Sequence, residues 1–378
     1  MNPQTLQGRH YATGEWIEIQ HDNDLILSVK PCGQPPGSEE RWLAPALFDP
    51  QVNGFGGVDF QQDRLTAEEL LTATRRLRAA GCTRWLLTLI TDDWEKLLAR
   101  LRHLRKLRDT SPELRSAIVG WHVEGPFLSS EPGFRGAHDP SAMADPRPGD
   151  MTRIHEAAGE GPLLITLAPE RAGAIAAIHE ARNLGITVSL GHTDAPHATL
   201  RAALDAGAAG FTHLANGCPR QLDRHDNILW RVLNTPNLTV SLIPDQIHVS
   251  AALFRLIHQL KPAGSIFYTT DAMSAAGMPP GRYPLGRLEV EVGADQVVRQ
   301  PGQTNFAGSA LRPIDGVMRA AEMLGCSWRE VWDRSSILPA KFLGLESGLQ
   351  PGGPADLCVL EFSNANELRR LHATSPAL

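Results

Sequence analysis

The five cysteines of this chain (Cys32, Cys82, Cys218, Cys326 and Cys358) are scattered, odd in number and form no Cys-x-x-Cys pair. That argues against a disulfide framework and against a thiolate metal site. No apolar run approaches the length of a membrane span, so no membrane partner is expected. The opening residues, Met1 to Thr5, carry neither a basic start nor an apolar stretch. No signal peptide is therefore expected, and the cytoplasm is the expected compartment. No Lys/Arg stripe stands out, and 36 basic against 42 acidic side chains leave a net charge of −6. A nucleic-acid partner is thus not expected. The Arg-rich stretches at 75–78 and 100–108 are interspersed with Leu and read as solvated helix faces. Internal repeats and low-complexity segments are also lacking.

What is present is an ordinary globular composition, 42% hydrophobic and 21% charged, over 378 residues. That length suits a large domain plus a smaller one. Residues 10–30 alternate in strand fashion about a turn at Asp22-Asn23-Asp24 and predict a β-hairpin. A linker at 31–37 follows, rich in Pro and Gly. Beyond it, apolar runs beginning at Trp42, Thr83, Ser116, Leu163, Ile186, Gly210, Asn237 and Ser265 predict eight strands. Helices are predicted at 66–80, 94–108, 172–184, 198–206 and 251–260. Strands alternating with helices imply parallel pairing through right-handed crossovers, and eight strands favour an α/β fold of the (β/α)8 TIM-barrel type. Residues 129–150 form a long loop, 281–303 predict a hairpin beyond the barrel, and further helices are predicted at 309–324 and 328–342. The last turn and strand, 348–360, are expected to pair with the N-terminal hairpin. The expected division is a small β domain from both chain termini, 1–45 and 345–378, around a barrel of 46–344.

Chemistry concentrates at the strand tips. The run Trp121-His122-Val123-Glu124-Gly125-Pro126 ends an apolar strand in a carboxylate and then breaks it. Three later strands end similarly, in Gly191-His192, Thr212-His213 and Thr270-Asp271. In a barrel these tips share one mouth. Taken singly, a histidine at a strand end is more often a hydrogen-bonded frame residue than a ligand. Together, Glu124, His192 and His213 offer one oxygen and two nitrogens, which suits a divalent ion such as Zn²⁺. Asp271 is then placed for proton transfer. His103, His155, His179 and His258 lie in polar helical contexts and read as surface residues.

The segments Asp49-Pro50-Gln51-Val52-Asn53-Gly54, His122-Val123-Glu124-Gly125-Pro126-Phe127, Gly136-Ala137-His138, Gly191-His192-Thr193, Thr212-His213-Leu214, Ile247-His248, Thr270-Asp271-Ala272 and Ala307-Gly308-Ser309 run in order along nearly the whole chain. Together they resemble the N-acetylglucosamine-6-phosphate deacetylases of the amidohydrolase superfamily. The resemblance implies that Glu124, His192 and His213 hold the metal and that Asp271 is the catalytic aspartate. It implies that His138 holds the sugar and polarises the amide carbonyl. His248 and Arg224 match residues binding the sugar phosphate, the Arg coming from the neighbouring subunit of a homodimer. Asn216 and Gly217 match a loop whose backbone N–H groups face the phosphate.

Three departures from the family pattern bear on the expectation. Gln51 and Asn53 stand where many superfamily members carry His-x-His, so one metal ion is expected rather than two. Zn²⁺ is the first choice, with Fe²⁺, Mn²⁺ and Co²⁺ accepted by the same ligands. Gln246 stands where the family usually has Gly, and Asn216-Gly217-Cys218 departs from the usual loop. Both touch the sugar and phosphate pocket.

The expected reaction is hydrolysis of the N-acetyl group of a small amino-sugar phosphate, N-acetylglucosamine 6-phosphate, to the free amine and acetate. The alternatives are a related amidohydrolase acting on a different N-acetylated sugar or another amide, and a catalytically inert sugar-phosphate sensor. A sensor has no need of Asp271.

Overall fold

In the computed structural model, residues 3–22, 24–35, 40–302, 306–363 and 367–374 are described. Asn23 of the expected turn, and Pro36 and Gly37 of the expected linker, lie outside them, as do the outermost residues of the expected terminal domain. The centre is an eight-stranded sheet of parallel pairs: Leu47–Val52, Cys82–Ile90, Ile118–Glu124, Leu163–Leu167, Thr187–Leu190, Gly210–Phe211, Thr239–Leu242 and Ile266–Tyr268, neighbours in that order. These short apolar strands, buried almost throughout, are what a sheet covered on both faces requires. A parallel bridge between Val52 and Ala272 joins the two ends of the sheet at the mouth. This is the expected (β/α)8 barrel.

Helix starts follow the side chains that can cap them. Thr66 accepts from the Glu69 backbone N–H while the Glu69 carboxylate accepts from the Thr66 N–H, opening Ala67–Ala79. Asp93 and Ser250 cap Trp94–Asp109 and Ala251–Leu260.

The expected single strand at 42–48 is instead two. Arg41–Pro45 belongs to a second sheet and Leu47–Val52 opens the barrel. The reason is local: Ala46 N–H donates to Asp356 O at 3.0 Å, while Leu47 N–H donates to Gly81 O at 2.9 Å, so consecutive amides serve different sheets. That second sheet has six strands, ordered Leu368–Thr374, Leu357–Phe362, Arg41–Pro45, Gln4–His10, Trp16–His21 and Ile26–Pro31. Leu357–Phe362 pairs with Arg41–Pro45, while the turn just before it meets the N-terminal hairpin as expected: Leu25 and Pro354 are bridged, Ile26 N–H donates to Gly353 O at 2.9 Å and Gly352 N–H to Ile26 O at 2.8 Å. The indole N–H of buried Trp332 donates to Pro45 O at 2.9 Å, fastening this sheet to the barrel.

Three helices have no counterpart in the expectation: Pro112–Ala117, capped by Ser111 and taking the first residues of the strand expected from Ser116; Asp150–Ala158, entered from Gly149 in the loop that reads as irregular; and the six-residue Ile228–Leu233. The helix expected at 328–342 is broken at Ser336 (φ −133°) into Trp328–Val331, a 3-10 turn Trp332–Ser335, and Ile337–Phe342. The segment after the barrel forms three strands, Gly281–Leu285, Leu288–Val292 and Val298–Arg299. Arg287 at its turn pairs with Asp92 at 2.8 Å, tying the insertion to the loop after the second barrel strand. His258 is half-buried rather than a surface residue, bonded to Tyr268 Oη at 2.9 Å, and burial lowers its pKa to about 4.

Candidate active site at the barrel mouth

Glu124 ends the third strand and is 3% exposed. Gly125 follows at φ +90°, where an added Cβ would lie 2.1 Å from Thr91 Oγ1, so only glycine fits this exit from the strand. His192 and His213 stand just beyond the fifth and sixth strands, and Asp271 beyond the eighth. All three are non-glycine residues with left-handed backbone, at φ +51°, +34° and +50°. Such backbone costs of order 1–3 kcal/mol and persists where the surroundings hold it, commonly at functional positions.

These residues converge. One donor atom each from Glu124, His192 and His213 lie within 4.8 Å of one another. His213 Nε2 is 2.8 Å from Glu124 Oε1, and His192 Nε2 is 3.5 Å from the same oxygen. His192 Nδ1 donates to the Phe134 carbonyl at 2.7 Å, so in the neutral ring Nε2 presents a lone pair toward Glu124. His213 Nδ1 is buried without a hydrogen-bond partner. Two acceptors thus face one another without a proton between them, beside a third unpaired nitrogen. A divalent cation fits that donor set, and the fixed Nδ1–H of His192 is the outer hydrogen bond such ligands ordinarily carry.

His138 lies against the cluster from the long loop. Its Nε2 is 3.7 Å from Glu124 Oε2, its Nδ1 is 2.9 Å from Thr91 Oγ1, and its ring meets the His192 ring at 4.6 Å near the perpendicular. Burial, then neighbouring His192, lowers the His138 pKa to about 3, so the ring is neutral at ordinary pH. Burial opposes ionisation of Glu124, but the neighbouring His192 and His213 rings hold its carboxyl well below the usual range. Asp271 is the opposite case. Enclosure of its carboxyl, then the Glu124 charge, raises its pKa to about 8 against the help of His213 and an Asn53 hydrogen bond. That bond, from Asn53 Nδ2 to Asp271 Oδ1, measures 2.7 Å.

The remaining expected residues are distributed unevenly. His248 donates from Nδ1 to Asp245 Oδ2 at 2.6 Å, which leaves Nε2 available, and its ring lies 4.9 Å from Phe306. Asn216 turns its amide back onto His213 O at 3.2 Å. Gly217 (φ +61°) backs onto His192, and a Cβ there would fall 2.8 Å from Nδ1. Arg224 is not brought to the cluster within one chain: it is exposed, in the polar loop before Ile228–Leu233, and makes no ion pair among the described residues. Sequence reading also passed over Thr91, whose position at the tip of the second strand was the available signal, and gave Asn53 only the role of a weak ligand.

No family model matches the chain. It is 33% identical over 338 residues to N-acetylglucosamine-6-phosphate deacetylase of Danio rerio, covering 85% of this chain and 81% of that protein. The chain belongs to the N-acetylglucosamine-6-phosphate deacetylase family. It is also 29% identical over 367 residues to the N-acetylgalactosamine-6-phosphate deacetylase of Escherichia coli, covering 94% of each. Among solved structures, an Asp-to-Ala variant of the Mycobacterium smegmatis N-acetyl-D-glucosamine-6-phosphate deacetylase, in complex with N-acetyl-D-glucosamine-6-phosphate, superposes with a TM-score of 0.86. Identity there is 32%, over 97% of this chain and 99% of that one. The family's barrel, with a small β domain beside it, is the architecture described above.

Proposed function

We propose that this chain hydrolyses the N-acetyl group of N-acetylglucosamine 6-phosphate, giving glucosamine 6-phosphate and acetate. The observation that carries the reading is the buried Glu124, His192 and His213 set with Asp271 beside it, in a chain of this family. Glu124, His192 and His213 would hold one divalent ion, Zn²⁺ in the first instance, with Fe²⁺, Mn²⁺ or Co²⁺ accepted by the same donors. When bound, that ion polarises a carbonyl and brings the pKa of water toward about 7. One ion suits the chain because Gln51 and Asn53 are weak ligands and Asn53 Nδ2 already serves Asp271.

Asp271 has Oδ1 engaged by Asn53, so Oδ2 is the atom that takes a proton from the attacking water and returns one to the departing amine nitrogen. His138 Nδ1 meets Thr91 Oγ1 at 2.9 Å, and as the Nε2–H tautomer the neutral ring would donate to the acetamide oxygen, where charge develops. His248 Nε2, Arg224 and the backbone of Asn216 and Gly217 would receive the phosphate, a dianion for which an Arg fork and fixed N–H donors are suited. Because Arg224 stays apart from the cluster in its own chain, we assign it to the site of a second copy in a homodimer. The five thiols, none paired among the described residues, suit the cytoplasm. The small domain is assigned to 1–45 and 345–378, the barrel to 46–344.

The match to an N-acetylgalactosamine-6-phosphate deacetylase over 94% of the chain keeps the galacto epimer as a second substrate reading. Acetate release measured on both epimers, with and without the 6-phosphate, tests these readings. No release from any of them defeats the proposal. Replacing Asp271 by Asn should leave the metal content unchanged and lower kcat by about 10²–10⁴-fold. Full activity in that variant excludes the assigned role. Arg224→Ala should raise KM for the phosphorylated sugar while leaving the unphosphorylated one unaffected.

A further inference from the structure

The first and eighth barrel strands share no continuous backbone ladder among the described residues; the pairing runs from Ile266–Tyr268 around to Leu47–Val52, and beyond it the seam has the single bridge of Val52 to Ala272 at the mouth. A side chain fills the gap. Asp49, 3% exposed, accepts at Oδ1 from Gln51 N–H (3.1 Å) and from Thr269 Oγ1 (2.6 Å), and at Oδ2 from Thr270 N–H (3.1 Å) and Thr270 Oγ1 (2.6 Å). We propose that Asp49 is a positioning residue for Asp271, acting through Thr269 and Thr270 to fix the strand tip that carries it. The inference rests on the reading of Asp271 as the proton-transfer group.

The direction of each bond supports it. Thr270 Oγ1 accepts from Ala272 N–H at 3.1 Å, so its own proton points at Asp49. The chain of bonds from Ala272 through the Thr270 hydroxyl to Asp49 therefore spans Asp271, the residue held at φ +50°. Above it, Asn53 N–H donates to Ala272 O at 2.7 Å, and on the far side Ser309 N–H donates to Asp271 O at 2.9 Å. Every partner of Asp49 donates, so the site calls for a group that only accepts, which a carboxylate is and a carboxamide is not. An amide in its place turns one N–H toward groups that are themselves donors and leaves buried donors unpaired. The first strand would thus transmit its position to Asp271 across the seam.

The test uses the full-length, metal-loaded protein and the variants Asp49→Asn, Thr270→Val and Thr270→Ser. Misplacing a catalytic group by about 1 Å costs on the order of 100-fold, so Asp49→Asn and Thr270→Val should lower kcat by about 10–100-fold. KM and metal content should stay near wild type, and Thr270→Ser, which keeps the hydroxyl, should restore most of the rate. Amide hydrogen exchange should quicken at residues 268–273 and not elsewhere. Wild-type kcat in Asp49→Asn, or an equal loss in Thr270→Val and Thr270→Ser, overturns the proposal. So does a joint fall of kcat, metal content and exchange protection throughout the barrel. If Asp49→Asn does not fold, the Thr270 pair decides. Should the wild-type protein release no acetate, the functional reading fails, while local exchange at 268–273 still decides whether Asp49 fixes that segment.

Discussion

At the scale of single residues, the mouth of the barrel is shaped by backbone that most side chains avoid. His192, His213 and Asp271 leave their strands in left-handed conformation, and glycines lie close against His192 and the Asp271 backbone. His192 is the tightest case, with Phe134 O on Nδ1 and Gly136 and Gly217 close against the ring. Gly217→Ala would put a Cβ 2.8 Å from Nδ1 at a backbone angle alanine resists. We expect the ring to leave Phe134 and metal affinity to fall by about 10–100-fold, the usual cost of losing an outer hydrogen bond. Competition with a chelator measures it, and unchanged affinity would show that the ring has room to spare. Glu124, His192, His213 and Asp271 were legible because each ends an apolar run. Asp49 was not, because its partners at 269 and 270 lie 220 residues away and no spacing encodes them.

At the scale of elements, what the sequence states plainly is where an amphipathic helix begins. Thr66 with Glu69, Asp93 and Ser250 mark their helices within a residue. Helix Asp150–Ala158 was hidden because it starts from Gly149 with no side-chain cap, inside a stretch rich in Pro, Gly and Asp. The strand at 42–48 was divided by hydrogen bonds to two distant segments, which local pattern does not carry. The inserted three-stranded sheet is held to the barrel by a charge cluster whose members differ in burial. Arg100, 7% exposed, bonds both Asp63 and Asp92, whereas the Arg287 side chain is 61% exposed. Arg100→Ala takes from Asp92 its buried partner, leaving it to the exposed Arg287, and should cost about 1–3 kcal/mol. Arg287→Ala should cost less than about 1 kcal/mol. Denaturant titration of the two variants separates them, and equal losses would contradict the burial argument.

At the scale of the molecule, the site weighs on the stability of the whole chain when no cation is bound. The Asp271 pKa is about 8 in the fold, against about 4 in an unfolded chain. Between those values the folded form binds the extra proton, so this residue's contribution is most favourable below pH 4 and is lost as pH rises toward 8. For chelated protein we expect Asp271→Asn to flatten that decline, raising the melting temperature at pH 8 more than at pH 5. A parallel shift at both values would place the cause elsewhere. The fold class was legible from eight alternating runs, whereas the six-stranded terminal sheet was only partly so. Its first and last strands along the chain, Gln4–His10 and Leu368–Thr374, lack a strong pattern and depend on pairing for their form.

The way that sheet is stitched has a consequence for the living ribosome. Arg41–Pro45 finds its partner in Leu357–Phe362, with Arg41 and Glu361 paired across 320 residues of chain. A nascent polypeptide must therefore hold Arg41–Pro45 without that neighbour until residues 320 positions further along have been made. Contacts so distant in sequence form slowly and leave unpaired strands open to aggregation. A product that stops short of Leu357–Phe362 would carry all eight barrel strands and still be prey for chaperones and proteases.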